Sequence, residues 1–199
     1  MQLSFAYLWQ LFLRSFQEPR AAMAQVLSLG ISRQTLWQLL LFTCTVSVVV
    51  SYITGSFLPQ PQLPDGTEAS QISPFRLGLI LLLSQGLLLF LGTVVAGKIA
   101  RGQGSFDDVL TMIIFQQLIM FVLNLFQLLI ALVSPAFAVM FGLSTLVVLI
   151  WQLCQFVAEV HGFKSALVVF LWGCVAVILI SFALAPLMIS LGLVPLEGV

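Results

Sequence analysis

The chain has 199 residues, of which 61% are hydrophobic and only 7% charged. A soluble domain carries about a quarter charged residues and roughly half apolar ones, so lipid, not water, must be the solvent for most of this surface. Seven basic residues balance seven acidic ones, which leaves no positive field to hold a nucleic-acid backbone and excludes nucleic acid as a partner.

The first twenty residues lack the basic leader of a secretory signal, and Arg14, Glu18 and Arg20 fall where a cleavage site would be expected. Phe5, Leu8, Trp9, Phe12, Leu13 and Phe16 recur at helical spacing and share one stripe, with Ser4, Gln10, Arg14, Gln17 and Glu18 opposite. This pattern predicts a helix lying in the membrane interface, its aromatic residues sunk toward lipid. Pro19 suits the first turn of a second short helix, from Arg20 to about Leu29.

Five apolar stretches follow, each long enough to cross the hydrocarbon core. They cover roughly residues 36–58, 77–97, 109–133, 136–158 and 166–191. Pro59, Pro61, Pro64, Asp65, Gly66 and Pro74 make the first loop irregular. The second loop, residues 98–108, carries Gly102 and Gly104, and Ser105 with Asp108 fits a capping box opening the third span. Only Ser134 and Pro135 separate spans three and four, which predicts an antiparallel hairpin. Pro186 should kink or end the fifth span. Cys44, Cys154 and Cys174 lie inside apolar runs and read as small core residues.

Arg14, Arg20, Arg33, Lys98, Arg101 and Lys164 fall on one side if five helices cross, against Arg76 alone on the other. That bias predicts a cytoplasmic N-terminus and an outside C-terminus. Charge is essentially absent from the spans, which argues against proton relays, voltage sensors and ion-coupled carriers.

Uncharged polar residues inside the spans are ordered. Gln116, Gln117, Asn124 and Gln127 fall within about 100° of one another around the third helix. Ser144, Thr145, Gln152 and Gln155 form a similar arc on the fourth, continued by Glu159. The short hairpin would turn the two arcs toward each other. They serve either as interhelical glue or as the lining of a polar path. Gly92 and Ala96 form a small-xxx-small pair suited to close helix approach.

Sites for chemistry are sparse. His161 is the sole histidine, and with Glu159 beside it makes at best a fragment of a metal site. Asp107 and Asp108 are explained as helix-start residues. No nucleophile elbow, HExxH, phosphate loop or dinucleotide fingerprint is present, so neither catalysis nor a cofactor or metal is expected.

Several of these residues, taken together, resemble a known family. Phe16-Gln17-Glu18-Pro19-Arg20 followed by a helix, the glycine-rich loop Gly102-Gln103-Gly104-Ser105-Phe106-Asp107, and Trp151 followed by His161-Gly162-Phe163-Lys164-Ser165-Ala166 are similar to the Yip domain family. The resemblance covers nearly the whole chain. It implies five membrane spans and, in eukaryotic members, interaction with Rab GTPases. Eukaryotic members carry a longer N-terminal region with an Asp-Leu-Tyr-Gly-Pro motif, and here only Glu18-Pro19 occupies that place. The resemblance is therefore to the bacterial branch, which implies a bacterial inner membrane.

The sequence thus predicts an all-α, multi-pass membrane bundle: interfacial helices over residues 1–34, five transmembrane helices over 35–191, and a short tail over 192–199. The expected role is a non-enzymatic scaffold or adaptor that binds lipid and other membrane proteins or itself. Its candidate contact surface is Gly104, Ser105, Phe106, Glu159 and His161. A permease lined by Gln116, Gln117, Asn124, Gln127, Gln152 and Gln155, and a membrane-shaping protein acting through the amphipathic helix, are the alternatives.

Overall fold

The computed structural model describes residues 4–59, 73–176 and 178. Helices make up its architecture: α1 (Phe5–Gln17), α2 (Pro19–Leu27), α3 (Arg33–Phe57), α4 (Pro74–Phe90), continued without a break by a π-helical stretch (Leu91–Ile99), α5 (Phe106–Val133) and α6 (Pro135–His161). A shorter apolar helix, α7 (Ala166–Ala176), follows. No strand occurs among the described residues.

Four helices have the length and apolarity of membrane spans, at 25 to 28 residues: α3, α4 with its π continuation, α5 and α6. The chain is therefore a multi-pass helical membrane protein. α7 is the start of the predicted fifth span. Residue 178 apart, the rest of that span, the expected kink at Pro186, the tail, and Pro61, Pro64, Asp65 and Gly66 of the first loop lie outside the described residues.

Helix starts are set by serine chemistry. Ser4, Ser32, Ser73 and Ser105 each precede a helix, and each hydroxyl accepts from the N–H three residues on, at Tyr7, Thr35, Arg76 and Asp108. Those are donors that the helix itself leaves unpaired. Ser105 completes the capping box, because the Asp108 carboxylate accepts from its N–H at 2.9 Å. Pro19, Pro74 and Pro135 open α2, α4 and α6, where a missing N–H is harmless.

A single residue, Ser134, joins α5 to α6. Gln127 Nε2 donates to the Ala138 carbonyl at 3.1 Å, and Gln116 Nε2 lies 3.5 Å from the Leu149 carbonyl. Both pairs are centred on the same turn, so the two helices fold back antiparallel, as the sequence predicts.

α5 is the central helix. Its residues Val109 to Phe115 are all buried, and Phe115 stacks on Phe156 of α6 at 5.3 Å between ring centroids. Leu36, Leu40 and Cys44 of α3 and Ala22, Met23 and Val26 of α2 complete the core. Lipid is as apolar as leucine, so this packing is held by close van der Waals fit and hydrogen bonds, not by a hydrophobic drive between helices. Gly92 shows the fit: a Cβ there would meet Val109 Cγ1 at 2.5 Å. Outward, Leu129, Leu132, Phe137 and Val147 stay exposed, as expected of a surface solvated by lipid.

Candidate functional site

One end of the bundle gathers most of the polar chemistry: α1 and α2, the starts of α3, α5 and α7, and the ends of the π-helical stretch and α6. Three arginines knit it together. Arg14 pairs with Glu18 at 3.0 Å and also donates to Gln25. Arg20 spends its whole guanidinium on α6 and the loop after it. Nε donates to Gln155 Oε1 at 2.9 Å, and the two terminal nitrogens to the Phe163 and Lys164 carbonyls at 3.2 and 3.3 Å. Arg33 makes a two-point pair with Asp107, at 2.6 and 3.0 Å, which ties the start of α3 to the start of α5. Its guanidinium also lies over the Phe106 ring, 5.3 Å from the centroid.

α1 is docked by one buried amide. Ser15 lies near the C-terminus of α1, and four residues on stands Pro19, which has no N–H to offer its carbonyl. Gln152 Nε2 of α6 supplies the missing donor, at 2.9 Å from the Ser15 carbonyl and 3.0 Å from its hydroxyl, with both side chains fully buried. The edge of α1 that meets the bundle is therefore Leu11 and Ser15. Leu8, Trp9 and Leu13 of the predicted apolar stripe remain exposed.

His161 departs from its expected place on the contact surface: it is only 2% exposed. The glycine-rich loop closes over it because the loop has no side chains in the way. A Cβ at Gly102 would lie 2.6 Å from the ring's Cγ, and one at Gly104 would lie 2.8 Å from the Val160 carbonyl oxygen. The Gly104 N–H donates to His161 Nδ1 at 3.3 Å, which assigns the ring as the neutral tautomer protonated at Nε2. The Gln103 N–H donates to the His161 carbonyl at 3.2 Å, and Phe163 stacks on the ring. The other candidate contact residues stay near the surface: Ser105 and Phe106 are exposed, Gly104 and Glu159 half-buried.

The polar residues of the spans are mostly bonded, and not all to each other's helix. Gln116 and Gln127 face α6, as the hairpin implies. Gln117 turns the other way: it donates to Ser47 of α3 at 3.0 Å and accepts from Gln85 of α4 at 2.9 Å, a buried three-helix node. Gln152 and Gln155 reach α1 and α2. Asn124 is half-buried and makes no side-chain hydrogen bond among the described residues. Gln85, the sole amide of its span, escaped the sequence reading. Ser47 falls on a polar stripe of the first span with Thr43, Ser51 and Thr54, and the fold supplies its partner. No group of three or more metal-ligating side chains occurs among the described residues.

A family model described as the Yip1 domain matches residues 13–187. No curated protein and no solved structure matches the chain.

Proposed function

Because the chain belongs to the Yip1 domain family, we propose that it is a non-enzymatic membrane scaffold that engages protein partners through the polar end of its bundle. The observation that supports this most is the use made of the polar side chains. Five of the six candidate path residues, Gln116, Gln117, Gln127, Gln152 and Gln155, are engaged with neighbouring helices, in four cases other than Gln116 at 3.1 Å or less. Amides spent in this way join helices and do not line a route for solutes.

The same end carries a capped, cross-linked set of loops, with Phe106 and Glu159 at its rim. We place this end in the cytoplasm, on the bias of basic residues, and α1 at the interface, with Leu8, Trp9 and Leu13 turned toward lipid. The bacterial inner membrane is the membrane proposed. The test pairs two measurements on the full chain. Gentle detergent extraction after crosslinking in native membranes should recover discrete protein partners or a second copy. Solute uptake by proteoliposomes above that of empty vesicles, lost on Asn124→Ala in a stable protein, would establish the permease instead.

A further inference from the structure

The π-helical stretch, α6 and α7 border an apolar groove of about 360 Å³. That lies within the range of pockets that hold small ligands. Leu91, Val95, Val157 and Trp172 form its walls, and Ala96 and Gly173 leave it room. At one end it is lined by Ile99, Ala100 and Phe163. Each of these is a chain neighbour of a cation: Lys98 precedes Ile99, Arg101 follows Ala100, and Lys164 follows Phe163.

These three cations differ from the others at this end. Arg14, Arg20 and Arg33 are committed to protein acceptors. Lys98, Arg101 and Lys164 are exposed, and among the described residues none has an ion pair or a side-chain hydrogen bond. Arg101 also occupies an unsuitable backbone position. Its φ is 58°, the sole positive value at a non-glycine among the described residues. The turn that ends α6 uses Gly162 at φ 69° for the same left-handed step. A residue with a Cβ is strained there, and such strain persists where the side chain has a use.

We propose that the groove seats an acyl chain of an anionic phospholipid, whose phosphate is held by Lys98, Arg101 and Lys164. A ligand for this place needs a long apolar body and a negative head, and the bilayer supplies one. The inference stands apart from the scaffold reading, since either a scaffold or a permease can carry such a lipid.

The experiment uses the full chain in phosphatidylcholine vesicles doped with brominated phosphatidylglycerol or brominated phosphatidylcholine. Trp172 quenching is taken as the difference from Trp172→Phe. Brominated phosphatidylglycerol should quench at several-fold lower mole fraction. Lys98→Gln, Arg101→Gly and Lys164→Gln should each reduce that preference, by up to about fivefold per cation at low salt. Arg101→Gly should not lower the unfolding midpoint, because glycine suits the turn. A Cβ at Gly173 meets nothing within 4 Å, so Gly173→Leu should fold, fill the groove and remove the preference. Equal quenching by the two lipids, a preference that survives the triple substitution, or quenching by neither lipid because a polypeptide covers the groove would each overturn the proposal.

Discussion

Replacing Gln152 with methionine tests how the amino-terminal helix is held. The substitution keeps the side chain's length and removes its amide. Two hydrogen bonds to Ser15 are lost, at 2.9 and 3.0 Å. Bonds between membrane helices average about 0.6 kcal/mol and reach about 1.7. The Ser15 carbonyl is then left buried with no donor, since Pro19 offers none, and an orphaned buried acceptor costs about 1–3 kcal/mol. Gln152 Oε1, itself buried without a partner, is removed at the same time and offsets part of this. The docking of α1 should weaken by about 1–2 kcal/mol, or roughly 5–30-fold in the population of its opened state. Hydrogen exchange of amides 5–17 in bilayer discs reads that opening directly. Arg20 still anchors α2, so exchange should rise in α1 and hardly at all over residues 19–27. Exchange rates in α1 unchanged within twofold, at an unchanged unfolding midpoint, would refute the orphan-carbonyl argument.

Other substitutions probe separate parts of the account. A double-substitution cycle at Gln85 and Gln117, read by unfolding in mixed micelles, should give a coupling of about 0.6 kcal/mol and no more than about 1.7; zero coupling would remove the three-helix node. Arg20→Lys should loosen α2 nearly as much as Arg20→Ala, because a point charge cannot serve three acceptors set around a planar fork; full retention of protection over residues 19–27 in the lysine variant would contradict this. Gly102→Ala should destabilise by about 1–3 kcal/mol through overpacking against the buried His161 ring, whereas Gly173→Ala should be neutral; thermal midpoints in detergent compare the two. Ser105→Ala should cost about 1 kcal/mol by removing the cap of the central helix, and Ser105→Asn should restore most of it.

Much of the fold can be read from the sequence because lipid imposes simple rules. Long apolar runs must be helices, so α3, α5 and α6 lie close to where hydropathy puts them. Serine caps and prolines mark their starts. The hairpin follows from a join too short for anything else. The π-helical stretch was not legible. Residues 91–97 read as an ordinary end to the second span, and no local pattern there sets the π-helical stretch apart. The site was legible only in part. Periodicity found Gln116, Gln117, Gln127, Gln152 and Gln155, but it could not say which neighbour each would face. Gln117 and Gln152 bond to α3, α4 and α1, helices whose placement no local pattern specifies. His161 looked like a surface residue beside Glu159 and Lys164. It is buried because a loop with glycines at positions 102 and 104 can close over an imidazole, a contact made between distant parts of the chain.

The proposed scaffold has a polar end that takes protein partners and span amides that mostly join helices to one another. A photo-activatable residue placed at Phe106 or Glu159, and for comparison at the exposed Leu129 or Phe137 of the spans, tests it in native membranes. Discrete protein adducts from Phe106 and Glu159, not seen from Leu129 or Phe137, are the predicted result. An absence of adducts at the polar end, together with solute uptake by proteoliposomes of the same protein, would contradict the claim.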